Sequence, residues 1–387
     1  SLFRANGVTD IVIVGRVSRP DLSKVKPDLG LVRALPMILR IIRAGGDDAV
    51  LREVIGFFER KGFRVVGPGD VAPELVVGPG PLGAVRADVA DQADIALGLE
   101  VVARLGPLDI GQGVVVSGGR IAAIEGVEGT DRMLARVSGL RRSAGTPPSG
   151  ATQGVLIKRP KPGQELRIDL PAIGPETVTR SAQARLKGIA VLSGRTIAAE
   201  RQELVRRADA LGLFVEGIAA GGPVASSRPQ AFASRGPTLV VVAGKKPSRD
   251  AEGSGWKGVR VVAALAPYGV GLATVVVRRH VLAVEAGEGA LALIERVGEL
   301  RQWGEAKGRR RGVAVLAPGA DIGARTVEAA ARAGLEGLVV VAERRPPDDL
   351  AELVTGQLVK IDGIEKTDTM LAFKAYSKHD LDAMFSM

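Results

Sequence analysis

The chain has 387 residues, 46% hydrophobic and only 3% aromatic, with no cysteine and a formal net charge of +10 at pH 7. This excludes a wholly disordered chain and favours two or three α/β domains with cores of Val, Leu, Ile and Ala. The absence of cysteine excludes disulfides, thiolate metal sites and cysteine nucleophiles. The basic charge suits phosphate-bearing ligands or an anionic membrane surface, although a genome that prefers arginine explains it equally; no basic run interleaved with aromatics indicates nucleic-acid binding.

The first hundred residues alternate between strand and helix patterns. The predicted strands are residues 11–14 and 64–66, and the predicted helices are residues 31–43, 49–60 and 88–105. Because the chain opens at Ser1 almost directly into a strand, we expect an N-terminally truncated first domain.

The sequence pattern changes near residue 109, where a second domain is predicted to begin. A hairpin is predicted around Gly118-Gly119. Beyond the hairpin, helices are predicted over residues 130–137 and 200–211, and a further helix is predicted to begin at Gly174-Pro175. The predicted strands are residues 154–157, 188–192 and 213–215. This alternation predicts a mixed or parallel sheet, and the Gly/Pro/Ser/Ala-rich residues 219–235 predict a linker.

Beyond the linker, residues 271–301 repeat residues 111–141 at a shift of 160 without a gap. The repeat resumes at a shift of 149, because the polar loop 161–171 has no counterpart. A copy that keeps its glycines and core but loses this loop predicts a scaffold without chemistry. The uncharged residues 261–277, which overlap the start of this repeat, contain Pro267, Gly269 and Gly271. These residues favour two strands over a membrane span.

The richest candidate site is the charged stretch 158–177, between a strand and a helix start. A helix N-terminus offers amides and a positive dipole end to a phosphate, and Asp169 could hold a divalent metal against it. A surface loop with a capping acid is the alternative.

A second acidic cluster, Glu125 to Asp131, also separates a strand from a helix. Glu128 or Asp131 could ligate metal, and Thr130 could donate to a phosphate or simply cap the helix. The repeat keeps both glutamates but replaces Thr130 and Asp131 by Ala290 and Leu291, which favours structural roles for Glu125 and Glu128.

In the first domain, charges follow the first strand, where open α/β sheets bind ligands. These candidates are Arg19, Lys26, Asp47 and Asp48, and a helix cap explains Asp47 alone.

Six short motifs taken together resemble the LpxI family. They are Gly15-x3-Arg19-Pro20, Lys26-Pro27-Asp28, Gly46-Asp47-Asp48, Leu108-Asp-Ile-Gly-Gln112-Gly113, Glu128-Gly-Thr130-Asp131 and Pro160-Lys-Pro-x-Gln164-Glu165-x-Arg167-x-Asp169-Leu-Pro-x-Ile-Gly174. The resemblance covers residues 1 to about 218. It implies a Rossmann-like N-terminal domain, here partial because the first strand and its glycine-rich loop are missing, and a distinct C-terminal α/β domain.

The resemblance also implies an activity, namely Mg²⁺-dependent hydrolysis of UDP-2,3-diacylglucosamine at the α-phosphorus in lipid A biosynthesis. The products would be UMP and 2,3-diacylglucosamine 1-phosphate (lipid X). We expect Asp169, Thr130 and Arg167 to be catalytic, with Asp169 as metal ligand or base and Asp131 as a second metal ligand. The expected substrate-binding residues are Arg19, Lys26, Asp47, Asp48, Gln112, Gln164, Gly174 and Thr177.

The predicted organisation is a truncated N-terminal domain (1–107), a catalytic domain (108–218), a linker (219–235), a degenerate repeat of the catalytic domain (236–345) and a tail (346–387). The tail weakly resembles Lrp/AsnC effector domains; it is either foreign sequence, which we favour slightly, or a further fragment of the repeat. A diacylated substrate predicts a cytoplasmic protein peripheral to the inner membrane, and a homodimer is an open alternative to a monomer. The rival hypothesis is a non-catalytic protein that binds sugar nucleotides or lipid precursors.

Overall fold

The computed structural model describes residues 2–14, 47–143, 152–219, 240–243, 248–300, 311–341 and 370–374. These residues form helices packed on multi-stranded sheets, so the predicted α/β class is confirmed. The predicted helix 31–43 and nearly all of the predicted linker lie outside the described residues.

The N-terminal segment holds a small parallel pair of strands. Its elements are α1 (Leu2–Ala5), β1 (Asp10–Val12), α2 (Asp47–Arg60), β2 (Arg64–Val66) and α3 (Pro68–Val71). Strand β1 pairs with β2 in parallel, and Asp10 faces Arg64 across the pair at 2.7 Å. Helix α2 begins two residues before its predicted start.

The middle of the chain forms a six-stranded sheet. Its strands are β3 (Gly80–Pro81), β4 (Gly113–Ser117), β5 (Arg120–Ile124), β6 (Val155–Lys158), β8 (Gly188–Leu192) and β10 (Phe214–Ile218), in the order β3-β10-β8-β6-β4-β5. Strands β6, β8 and β10 are parallel, whereas β4 runs antiparallel to both of its neighbours. A separate parallel pair consists of β7 (Ala172–Ile173) and β9 (Ile197–Ala198).

Helices cover both faces of this sheet. They are α4 (Val89–Leu105), α5 (Gly129–Ser143), α6 (Pro175–Gln183) and α7 (Arg201–Ala210). Helix α4 packs on one face, and α5, α6 and α7 pack on the other. Capping positions fix two starts as predicted, with Asp88 before α4 and Gly174 followed by Pro175 in α6.

The last third forms a second six-stranded sheet. Its strands are β11 (Val240–Ala243), β12 (Ala273–Val277), β13 (His280–Val284), β14 (Val313–Leu316), β15 (Gly337–Val341) and β16 (Met370–Lys374), and its helices are α8 (Arg249–Leu265), α9 (Ala290–Leu300) and α10 (Ala324–Arg332). The order β11-β16-β15-β14-β12-β13 has the same pattern of parallel and antiparallel neighbours as the first sheet. From the tail, the described residues contribute β16 at the position that β10 holds in the first sheet.

The prediction of two strands over residues 261–277 is wrong for its first part, because residues up to Leu265 belong to helix α8. Val261 and Leu265 pack in one apolar cluster, while Val259 and Val262 pack in another. A helix that is apolar on opposite sides loses the polar face by which an amphipathic helix is detected. The second part is confirmed as β12. Among the described helices, none combines the length and the apolar content that a membrane span requires.

Candidate active site

Three loops meet at one edge of the first sheet. Lys158 at the end of β6 pairs with Gly113 at the start of β4. Strand β5 also ends beside the start of β4, where Ile124 pairs with Val114. The amide of Arg159 donates to the carbonyl of Gln112 at 2.9 Å. The sheet register therefore brings loops 109–113, 125–129 and 158–171 together, although they are distant in sequence.

Asp169 is oriented by two amide side chains. Nε2 of Gln164 donates to Oδ2 of Asp169 at 2.6 Å, and Nε2 of Gln112 approaches the same oxygen at 3.4 Å. Gln164 is buried, and its Oε1 accepts from the amide of Lys161 at 2.7 Å. Both glutamines were predicted as site residues, and the structure brings them to the predicted carboxylate.

Two lysines lie on the same loop. Lys158 is buried, and its Nζ donates to the carbonyl of Ala172 at 3.0 Å. Lys161 pairs with Asp109 at 2.6 Å. A buried ammonium group beside a loop supplies positive charge where water screens it little.

The N-terminus of α6 follows this loop directly. Gly174 is the N-cap, and its amide donates to Oγ1 of Thr177 at 3.2 Å. Pro175 occupies the first helical turn, where its missing amide costs nothing. The two predicted residues Gly174 and Thr177 thus shape a helix start whose dipole favours an anion.

Thr130 and Glu125 form a second part of the site. Oγ1 of Thr130 donates to Oε1 of Glu125 at 3.1 Å. Oε2 of Glu125 is buried and has no hydrogen-bond partner among the described residues. That oxygen lies over Gly113, where an added Cβ would be 2.6 Å away, so the glycine leaves space for the carboxylate.

Glu125 was assigned a structural role because the repeat retains a glutamate at the corresponding position. The retained residue, Glu285, accepts from the amide of Leu272 at 3.0 Å, and burial raises the pKa of its carboxyl. Glu125 differs because one of its oxygens remains unsatisfied among the described residues. The position of Glu125 directly after β5 was the sequence signal for a site residue.

Asp131 and Arg167 make contacts of other kinds. Asp131 is exposed and lies 3.7 Å from the guanidinium of Arg180. Arg167 pairs with Glu165 at 2.8 Å and with Glu59 of α2 at 2.7 Å, and these two carboxylates raise the pKa of its guanidinium. Arg167 therefore joins the Asp169 loop to the N-terminal segment.

Four substrate-binding residues were predicted in the first domain. Arg19 and Lys26 lie outside the described residues, and Asp47 and Asp48 open helix α2. Within the described part of the chain, no three His, Asp or Glu side chains converge as a group that could hold a metal ion.

Comparison with known proteins gives matches along most of the chain. Residues 1–75 match the LpxI N-terminal domain, and residues 78–216 and 240–355 match the LpxI C-terminal domain. The UDP-2,3-diacylglucosamine pyrophosphatase LpxI of Caulobacter vibrioides is 43% identical over 219 residues, which cover 56% of this chain and 76% of that protein. The two ranges that match the C-terminal domain correspond to the two six-stranded sheets, except for β16.

Proposed function

The chain belongs to the LpxI family, and from that premise we propose that it hydrolyses UDP-2,3-diacylglucosamine to UMP and 2,3-diacylglucosamine 1-phosphate (lipid X) in lipid A biosynthesis. The observation that carries the proposal is the Asp169 carboxylate, held by Gln164 and Gln112 beside two lysines and the start of helix α6. Cleavage of a pyrophosphate depends mainly on positioning and on neutralising charge, and this arrangement supplies both.

The donor atoms at the site fit Mg²⁺. The ion commonly takes one or two protein carboxylates, completes its shell with water and substrate phosphates, and needs no cage of protein acids. Asp169 supplies such a carboxylate, and the unsatisfied Oε2 of Glu125 offers a second oxygen at the same edge. The absence of a three-acid group among the described residues is compatible with this mode of binding. When bound, Mg²⁺ would neutralise phosphate charge and polarise the phosphoryl group.

Different residues of the chain then bind the substrate and assist the reaction. Lys158 and the first turn of α6 hold the pyrophosphate, and Thr130 donates to the substrate from the hydroxyl that now faces Glu125. The oxygen of a water molecule bonds to the α-phosphorus, and the bond from that phosphorus to the bridging oxygen breaks. The bridging oxygen leaves with the sugar phosphate. Asp169 either binds the metal or accepts the proton of the attacking water.

The test is release of UMP from UDP-2,3-diacylglucosamine with and without Mg²⁺, using the full chain and its Asp169→Asn variant. We expect metal-dependent turnover that falls by at least about 100-fold in the variant. Asp321→Asn is the matched control, because Asp321 precedes the corresponding helix start in the second sheet and is exposed; it should leave turnover unchanged. Absence of turnover with retained binding of the substrate would indicate the non-catalytic rival instead.

The same variant distinguishes the two roles of Asp169. If the carboxylate binds the metal, the residual activity of Asp169→Asn needs a higher Mg²⁺ concentration for half-maximal rate. If it is the base, the Mg²⁺ requirement stays the same and the acidic limb of the pH–rate profile disappears.

We further propose that the protein works at the cytoplasmic surface of the inner membrane. The two acyl chains of the substrate keep it in the bilayer, and a net charge of +10 favours an anionic surface. Sedimentation with vesicles that contain anionic lipid, but not with neutral vesicles, is the expected result.

A further inference from the structure

Four charged side chains meet between the two six-stranded sheets. Arg136 pairs with Glu128 and with Glu288, both at 2.9 Å. Arg296 pairs with Glu288 at 2.8 Å and lies 3.5 Å from Glu128. The glutamate side chains are 2–3% exposed and the arginine side chains 12% and 18% exposed.

These four residues are related by the shift of 160 that relates the sequence repeat. Glu128 and Arg136 correspond to Glu288 and Arg296. Each unit thus contains one ion pair of its own, Glu128–Arg136 or Glu288–Arg296. The two ion pairs that cross between the units, Arg136–Glu288 and Arg296–Glu128, are counterparts of each other under this shift. Such reciprocity is the mark of an isologous interface, in which the same patch is used on both sides.

The edges of the two sheets show the same reciprocity. The amide of Val127, after edge strand β5, donates to the carbonyl of Leu282 in edge strand β13 at 3.2 Å. Gly287 lies against the carbonyl of Ala122, where an added Cβ would be 3.1 Å from the oxygen. In the sequence repeat, Val127 corresponds to Gly287 and Ala122 corresponds to Leu282. The two contacts are therefore equivalent, with the roles of the two units exchanged.

Apolar side chains complete the interface. Val101 and Leu105 of α4 share one buried cluster with Val261 and Leu265 of α8, and these are again counterparts at the shift of 160. A core shared between two units is characteristic of permanent rather than transient association.

We propose that the described residues of 78–219 (the first unit) and of 240–374 (the second unit) pair through this quasi-twofold surface, so that the second unit occupies the place of a partner subunit. The proposal does not depend on the activity of the protein. It explains why a unit without the 161–171 loop retains its buried face. It also predicts a monomeric chain, whereas the sequence left a homodimer open.

The second unit also reaches the loops of the candidate site. Lys257 of α8 lies close enough to Asp109 and Lys161 to interact with their charges, while burial lowers the pKa of the Lys257 ammonium group. The second unit therefore places a positive charge near Asp109 and Lys161 of the first unit.

Exchange of charges in the full-length chain tests the proposal. The variant Glu288→Arg/Arg296→Glu keeps the second unit's own pair but sets like charges against each other across the interface. The mirror variant Glu128→Arg/Arg136→Glu does the same from the first unit, and the fourfold variant restores opposite charges everywhere. Mass by light scattering and Tm are measured for all four chains.

We expect the wild-type and fourfold chains to be monomers. Each double variant should lose at least about 3 °C in Tm and dimerise with rising concentration, because its unchanged unit remains complementary to the same unit of another chain. If a double variant does not fold, recovery of folding in the fourfold chain gives the same support. Equal mass and Tm in all four chains, or a fourfold chain no better than the double variants, would overturn the proposal.

Discussion

At the scale of single residues, two amide side chains, those of Gln164 and Gln112, orient the carboxylate of Asp169. Gln164 donates to its carboxylate at 2.6 Å and to its main-chain carbonyl at 2.5 Å. One buried side chain thus fixes both the loop and the acid that the loop presents. A group of this kind affects a reaction through the geometry of its neighbour.

Replacing Gln164 tests this positioning role. Gln164→Leu should lower kcat about 10-fold to 100-fold with little change in KM, because Asp169 loses its fixed rotamer. Gln164→Glu adds a negative charge beside Asp169 and should move the acidic limb of the pH–rate profile to higher pH. Gln92→Leu is the control, since Gln92 is bonded to Glu216 on the surface. An unchanged kcat in Gln164→Leu would contradict the role.

Tyr268 provides a test with a defined pH range. Burial, followed by its hydrogen bond to Glu100, raises the pKa of the Tyr268 phenol to about 12. In the unfolded chain a tyrosine ionises near about pH 10. Between these values the unfolded chain has lost a proton that the folded chain keeps, so the free energy of unfolding decreases as pH rises from about 10 to about 12.

Tyr268→Phe should remove that part of the decrease. Urea unfolding at intervals between about pH 9 and 12 measures it. Glu100→Gln should retain most of the decrease, because burial is the larger cause. Parallel curves for the wild type and Tyr268→Phe would show that the phenol ionises equally in both states.

At the scale of elements, sequence patterns predicted those with local signals. Asp88 marks the start of α4, Gly174-Pro175 the start of α6, and Gly118-Gly119 the hairpin turn, where both glycines have positive φ. Helix α8 was missed because it is apolar on two sides, one of which packs against the other unit. The approach of Gln112 to Asp169 follows from strand register, which no local pattern of the chain contains.

The hairpin turns also differ between the two sheets. The carboxylate of Asp94 in α4 accepts from the amides of Gly118 and Gly119 at 2.9 and 2.7 Å. At the corresponding place in α8, the hydroxyl of Ser254 accepts from the amide of Arg279 at 3.0 Å. One helix thus anchors its hairpin with two charge-assisted bonds and the other with a single neutral bond.

This difference predicts unequal costs of removal. Asp94→Ala should reduce the free energy of unfolding by about 2 kcal/mol, and Ser254→Ala by about 1 kcal/mol. Urea midpoints at constant m give both values. Asp94→Asn should lie between Asp94→Ala and the wild type, because it keeps one acceptor. A larger loss for Ser254→Ala than for Asp94→Ala would contradict this account.

At the scale of the whole molecule, the N-terminal segment and the two units depend on different kinds of contact. Arg167 and Glu59, which join the N-terminal segment to the first unit, have side chains that are 39% and 45% exposed, and pairs so accessible to water contribute little to stability. The two units instead share buried apolar residues and four nearly buried charges. The strength of association therefore lies between the units.

Cleavage of the connection between the units should leave them together. A protease site inserted between Ala225 and Ser226 allows the folded chain to be cut within the Gly/Pro/Ser/Ala-rich residues 219–235. We expect both fragments to elute at the mass of the intact chain at about 10 μM, because the shared core remains buried. The unfolding midpoint should then depend on concentration, whereas that of the uncut chain should not. The fragments of cut chains that also carry Glu288→Arg/Arg296→Glu should separate. In these chains each of the two charge pairs that cross the interface joins like charges, which repel each other. Separation of the cut wild-type chain at this concentration would show that the covalent connection, rather than the paired surface, holds the units together.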